Sequence, residues 1–290
     1  MNRRNFIGKA AIAGGSLLFM PSFSRANFSG DNIKPALLGG RKSYPEKFTG
    51  WPIFNGKEEQ ALINTLRTGK WGRLNGNMSA TFESEYAKIL DVKHTLGVAS
   101  GTSALFTMLG AIGIGPGDEV IIPPYTFVAT YNVIVLNYAL PIFVDTDIES
   151  FQIDPAKIEA AVTKQTKVIM PVHMGGSPAD LDRILPIGKK YNIHVIEDAC
   201  QAHLAEWRGK KVGSYGLGGA FSFQSSKNLN CAEGGAISTN DDDFIKRCYS
   251  FHNQGQGGTS TSYSTGSGIR GVNMRITEFQ TSILLAQMSR

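Results

Sequence analysis

The chain is poor in cysteine. Cys200, Cys231 and Cys248 are the only three in 290 residues, and no two stand at C-x-x-C spacing. A secreted scaffold built on disulfides is therefore excluded. The five histidines, His94, His173, His194, His203 and His252, form no H-x-x-x-H pair and no cluster with cysteine, so no metal site is expected. Long apolar runs are also missing. The run Ala10–Met20 covers 11 residues, whereas a membrane-spanning helix needs about 20, so no stable span is expected. Glycine is abundant, yet no dinucleotide-binding fingerprint is present. Gly113-Ile114-Gly115-Pro116-Gly117 follows a helical pattern and precedes a strand pattern, which makes it a turn. No internal repeat is visible.

The two ends read differently from the middle. Arg3-Arg4-Asn5-Phe6-Ile7 with Lys9, the short apolar run, Pro21 and a small-residue site ending at Ala26 read as a twin-arginine signal peptide over residues 1–26. The expected destination is the periplasm, by export of an already folded protein. If the signal is not used, the segment is a tethered amphipathic terminus and the protein stays cytoplasmic. Residues 1–26 carry Arg3, Arg4, Lys9 and Arg25 and no acid, so without them the formal charge falls from +5 to +1. The basic balance is thus a targeting effect and gives no support for a nucleic-acid partner. At the other end, an amphipathic pattern from Thr277 runs to Arg290 with no C-cap signal. The expectation is a chain that stops before a small C-terminal domain.

Between the ends, short Val- and Ile-rich segments alternate with helical ones. Strands are predicted over 95–99, 119–123, 140–145, 167–172 and 194–198, with helices over 102–112, 128–138, 155–162 and 179–191. This alternation predicts an α/β fold, a mainly parallel mixed sheet covered on both faces in three layers. Two further helices are expected at 58–68 and 78–90, within an N-terminal helical segment 27–93, and two further strands at 218–224 and 235–240. The large domain is expected over 94–290. Residues 253–271 are rich in Gly, Ser and Thr and read either as a flexible surface loop or as one ordered by a partner subunit or substrate.

Two segments carry the chemistry. Glu197-Asp198-Ala199-Cys200-Gln201 closes an apolar strand, and Ser222-Phe223-Gln224-Ser225-Ser226-Lys227 follows one strand later. A strand-end aspartate and a loop lysine are what pyridoxal 5'-phosphate requires: the lysine to form a Schiff base, the aspartate to hold a proton on the pyridine nitrogen. Ser100-Gly101-Thr102-Ser103 ends a strand and opens a helix, which makes it either an ordinary N-cap or an anion site for the phosphate. Phe127 lies just past a strand end and reads as a ring-stacking or a core aromatic. Gln201 and Ser222 are placed to reach the phenolic oxygen and the phosphate.

Together these stretches resemble the DegT/DnrJ/EryC1/StrS sugar aminotransferase family of fold-type-I pyridoxal phosphate enzymes. The matching segments are S-G-T-S-A-L, G-I-G-P-G-D-E-V-I-I-P-P-Y-T-F-V-A-T, P-V-H-M-G-G-S-P-A-D-L-D, V-I-E-D-A-C-Q-A-H, F-S-F-Q-S-S-K-N-L, E-G-G-A-I-S-T-N and G-V-N-M-R-I-T-E-F-Q. They run in family order from about residue 35 onward. F-Q-S-S-K-N-L, L-L-G-G and W-G-R-L are most similar to the branch acting on keto-cyclitols such as scyllo-inosose. The resemblance implies transamination from glutamate or glutamine to a keto-sugar or keto-cyclitol. By the same resemblance Lys227 is the Schiff-base lysine and Asp198 the pyridinium partner, with Gln201 on the phenolic oxygen and Phe127 on the ring. Gly101, Thr102 and Ser222 would hold the phosphate. Asn273 matches an asparagine lent by the neighbouring subunit, implying a homodimer with shared sites. His173, Glu233 and His252 are expected to face substrate. Cys200 departs from the family's more usual alanine, and Val272 and Met274 from the usual aromatics. Two other classes exist among similar sequences: dehydratases with histidine in place of Lys227, which Lys227 argues against, and non-catalytic cofactor-binding or regulatory proteins.

Overall fold

The computed structural model describes residues 34–48, 50–257 and 270–290. The expected signal peptide and residues 258–269 of the Gly- and Ser-rich stretch lie outside the described residues. Two units separate, Met1–Gly50 and Trp51–Arg290. Within the first, Ala36–Leu38 forms a single 3-10 turn closed by Gly39 at φ 92°, a left-handed position suited to glycine.

The second unit contains the helices α1 (Gly56–Thr68) and α2 (Met78–Leu90), then alternating elements: β1 (His94–Val98), α3 (Gly101–Ile112), β2 (Glu119–Ile122), α4 (Val128–Leu136), β3 (Leu140–Phe143), α5 (Pro155–Ile158), β4 (Thr166–Ile169), α6 (Leu181–Tyr191) and β5 (His194–Asp198). A two-residue hairpin, β6 (Glu206–Trp207) and β7 (Lys210–Lys211), precedes β8 (Gly218–Ser222), β9 (Gly235–Thr239), α7 (Asp242–His252) and α8 (Glu278–Met288). Local signals account for many boundaries. Asn55 caps α1 in a capping box with Glu58, and Gly69 ends it at φ 66°. Ser100 caps α3 by accepting the Ser103 N–H.

Seven strands form one sheet in the order β1-β9-β8-β5-β4-β2-β3. β9 runs antiparallel to both of its neighbours, β1 and β8. The other pairings are parallel, as the alternation of elements predicts. Side chains leave successive strand positions toward opposite faces, and both faces are apolar here. Val120, Ile122, Val168, Ile196, Ala220 and Ile237 pack with Leu105 and Met108 of α3 and Phe244 of α7. Their neighbours Ile121, Ile169 and Val195 pack on the other face with Ile158 of α5 and Ile184 of α6. Phe221 and Ala236 join Phe82, Tyr86 and Leu90 of α2 and Leu284 of α8. The result is three layers, with each fully buried aliphatic or Phe side chain contributing roughly 1.5–3 kcal/mol of transfer free energy. Among the described residues no helix is long and apolar enough to cross a membrane.

The topology decides where chemistry can occur. β1, β2, β5 and β8 point the same way, so their carboxyl ends share one edge of the sheet. Ser100, Phe127, Asp198 and Ser222 all lie at or just beyond those ends. The connection holding Lys227 joins β8 to the reversed β9 and therefore sits on that edge too.

Candidate active site

A cavity of about 530 Å³ opens at this edge, lined by Ser100, Gly101, Thr102, Phe127, Thr130, Asp198, Cys200, Gln201, Ser222, Gln224, Lys227 and Glu233 among others. Asp198 ends β5 and is almost fully buried. Its carboxylate accepts the Thr130 hydroxyl at 2.7 Å through Oδ2 and the Cys200 N–H at 3.1 Å through Oδ1. Two donors thus fix one rotamer and leave further lone pairs for a cavity ligand.

Lys227 sits in a tight turn after β8. Its N–H donates to the Gln224 carbonyl at 2.8 Å, and its carbonyl accepts from Asn230 Nδ2 at 3.2 Å. Gln224 Oε1 accepts both the N–H and the hydroxyl of Ser226, which stiffens the turn. At the opposite wall, α3 begins with first-turn amides that have no intrahelical acceptor and whose dipoles favour an anion. Gly101 is needed at that point. A Cβ on it would lie 2.7 Å from Ser222 Cβ and 2.8 Å from Cys200 Sγ.

The candidate residues sort clearly. Gly101, Thr102, Phe127, Asp198, Gln201, Ser222, Lys227 and Glu233 all line the cavity. Phe127 is 64% exposed and N-caps α4, so it is not a core aromatic. Gln201 Oε1 accepts the Gly175 N–H at 3.0 Å, which leaves its NH₂ as the free end. Asn273 is exposed, bridges to Asn253 and does not line the cavity of its own chain.

Two expectations need correction. His173 is fully buried: its Nδ1 accepts the Ala179 N–H, so Nε2 carries the proton and donates to Glu197. His252 is likewise buried; its Nδ1 donates to the Tyr249 carbonyl, and Nε2 has no partner among the described residues. Neither histidine lines the cavity, because the strand and helix ends that carry them turn those side chains into the protein.

Electrostatics assigns further roles. Burial, reinforced by the Asp198 carboxylate, raises the Cys200 thiol well above its usual range; the neutral thiol is a poor nucleophile. Burial also lowers His203 to about 4, with the Lys227 charge acting in the same direction against the bond to Ser222. Its Nε2 donates to the Ser222 carbonyl at 2.7 Å while the ring stacks near Phe221 and Phe223. Sequence reading missed His203 and Thr130 as supports of the site. The available signal for Thr130 was its i,i+4 spacing from Thr126 at a helix start beside the site. Among the described residues no cluster of His, Cys, Asp and Glu could hold a metal ion.

Comparisons with known proteins agree with this geometry. The model of the DegT/DnrJ/EryC1/StrS aminotransferase family matches residues 54–290. 3-Amino-5-hydroxybenzoate synthase of Amycolatopsis mediterranei is 38% identical over 253 residues, 87% of this chain and 65% of that protein. A protein of Streptoalloteichus tenebrarius, provisionally named L-glutamine:3-amino-2,3-dideoxy-scyllo-inosose aminotransferase, is 37% identical over 88% of this chain and 62% of its own. The solved structure of NtdA from Bacillus subtilis with bound cofactor PMP superposes with TM-score 0.76 at 32% identity, covering 86% of this chain and 57% of that one. The chain spans just under two thirds of the length of the curated relatives it matches.

Proposed function

We infer a function from membership: the chain belongs to the DegT/DnrJ/EryC1/StrS aminotransferase family. It acts as a pyridoxal phosphate-dependent aminotransferase that moves an amino group from an amino acid to a ketone on a polyhydroxylated ring. The observation that carries this reading is the single cavity lined by Lys227, Asp198, the α3 N-terminus and the exposed Phe127. The residues fit the group. Gly101 lets Ser222 and Cys200 close against the start of α3 where any Cβ would collide with them, and the donor set supplies an amine, an oriented carboxylate and a helix N-terminus.

When bound, pyridoxal phosphate supplies an electrophilic aldehyde carbon and a ring that withdraws electrons from the bond being broken. Lys227 Nζ would hold the group at that carbon, and its amine, when free, would carry the proton as base and then acid. Asp198 would face the ring nitrogen. The α3 amides, with the hydroxyls of Thr102 and Ser222, would hold the phosphate, and Phe127 would cover the ring. The free NH₂ of Gln201 would donate to the phenolic oxygen. The printed name of the Streptoalloteichus relative supports glutamine as donor and a keto-cyclitol as acceptor; glutamate and a keto-sugar are the alternatives that the family resemblance adds. A homodimer in which Asn273 serves the site of the second copy belongs to the same proposal, as does export to the periplasm.

The test is the visible spectrum of the purified protein with pyridoxal phosphate, alone and after addition of glutamate or glutamine, beside Lys227→Ala. Visible absorption that the donor bleaches, absent from the variant, supports the reading. A bound cofactor that no donor converts points to a non-catalytic binding protein, and no bound cofactor overturns the reading. For export, fractionation of cells expressing the native chain and Arg3→Lys/Arg4→Lys should move the protein from periplasm to cytoplasm. An unprocessed cytoplasmic native protein would rule export out.

A further inference from the structure

We propose that Thr130, with Thr126 behind it, is a positioning residue that aims the Asp198 carboxylate at the cofactor ring. The inference rests on the function proposed above and adds a residue to it. Thr130 has no exposed surface, and its Oγ1 lies 2.7 Å from Asp198 Oδ2 and 2.7 Å from Thr126 Oγ1. An ionised carboxylate only accepts, and a hydroxyl has one proton. Thr130 therefore gives its proton to Asp198, and Thr126 gives its own to Thr130. The relay runs one way, from the half-buried Thr126 to the buried carboxylate.

Its placement has a consequence. Thr126 and Thr130 flank Phe127 at the start of α4, so the helix that presents the aromatic ring to the cavity also grips Asp198 from within the protein. The Cys200 N–H holds the other oxygen at 3.1 Å. Between these donors the carboxylate is locked in rotation, and its remaining lone pairs are those that a cationic ring N–H can use. Bonds from a charged group are worth more than neutral ones, and a buried acceptor that loses its donor cannot recruit water in its place. Replacing Thr130 by the isosteric Val keeps the packing volume and removes the hydroxyl that donates to Asp198 and accepts from Thr126.

The other charged or titratable side chains lining the cavity beside Asp198 are Cys200, Lys227 and, at its rim, Glu233; none changes in the variants. The probe is pyridoxal phosphate labelled with nitrogen-15 in the ring, whose chemical shift reports ring-nitrogen protonation across pH. Its dissociation constant is measured in parallel, and circular dichroism checks the fold. For Thr130→Val the expectation is roughly a tenfold weaker dissociation constant and a ring nitrogen that loses its proton about one pH unit lower. Thr130→Ser, which keeps the hydroxyl, should restore both. Thr126→Val, at a half-buried position, should shift the titration the same way by less, and it carries the test if Thr130→Val does not fold. A wild-type-like titration in every Thr130 and Thr126 variant that folds overturns the inference while leaving the proposed function standing. A wild-type chain that binds no labelled cofactor overturns the function itself.

Discussion

Glu197 and His173, neither with any exposed surface, share a 3.0 Å hydrogen bond in which the histidine Nε2–H is the donor. The carboxylate also accepts the backbone N–H groups of Gly213, Tyr215 and Gly216 at 2.7–2.9 Å. One side chain thereby ties the end of β5 to the loop entering β8. The adjacent residue on β5 is Asp198, so this knot sits directly behind the candidate catalytic carboxylate.

Removing that acceptor leaves four donors unpaired, two of them, His173 and Gly213, on buried residues. Glu197→Ala should destabilise the protein by about 3–5 kcal/mol, read as a lower urea midpoint with the fold otherwise intact. An unchanged midpoint would contradict the structural role.

The same residue predicts acid sensitivity. Burial opposes its charge, but the bonds from His173 and from the Gly216 and Gly213 amides outweigh burial and hold it below the ordinary 4.5. A carboxylate lowered in the folded state contributes stability above its unfolded value and loses it as pH falls through the folded one. Stability should therefore drop below about pH 4.5 in the native chain. In Glu197→Gln, which cannot titrate, that component should be missing from pH-dependent urea melts.

Two histidines, His252 buried and His203 half-buried, predict a second, higher pH window. Burial lowers His203 to about 4 and His252 to about 3, from an ordinary 6.5. The unfolded chain then binds protons that the folded one refuses, so stability is complete above pH 6.5 and declines as pH falls toward 4. Each histidine accounts for up to about 1.4 kcal/mol per pH unit in that window. Replacing either by Phe should flatten the thermal-midpoint profile between pH 6.5 and 4, whatever it does to absolute stability.

Glu278 acts at long range as a helix cap. Asn77, at the N-cap position of α2, makes no side-chain capping bond. The α8 carboxylate of Glu278 instead accepts the Met78 and Ser79 N–H groups and the Ser79 hydroxyl at 2.6–3.1 Å. Glu278→Ala should cost about 1–2 kcal/mol, seen as a shift in urea midpoint. Serine at residue 77 should recover part of it by capping locally.

Gly101 should prove intolerant of even one methyl group. Its added Cβ would meet Ser222 Cβ at 2.7 Å and Cys200 Sγ at 2.8 Å, closer than packed atoms approach. Gly101→Ala should weaken pyridoxal phosphate binding by roughly tenfold or more. Pairing it with Cys200→Ala should return part of the affinity, because one of the two collisions is then gone. Additive effects in a binding titration would show that the two residues do not share space.

Much of this architecture is local, and local patterns are legible. The segment 194–198 reads as a strand because its apolar residues run between turn signals, and the structure has β5 at the same residues. Ser100, Gly113 and Gly69 mark helix ends through caps that depend on neighbours in the chain. Two elements escaped although they carried signals. Helix α7 opens on a run of aspartates with Phe244, Cys248 and Phe251 at helical spacing, and the β6–β7 hairpin turns on Arg208-Gly209, both at positive φ.

By itself the sequence determined the α/β alternation and singled out Asp198, Lys227 and Ser100-Gly101-Thr102-Ser103 as candidates, since strand ends, helix starts and turns are marked by neighbours in the chain. Only the tertiary structure decided that β9 inserts backwards between β1 and β8, because strand pairing depends on contacts distant in sequence. It also decided that His173 and His252 face inward, since a histidine's role depends on which donors and acceptors fold around it. The contact between Thr130 and Asp198 joins residues 68 positions apart. No local periodicity encodes it; packing α4 across the end of β5 creates it.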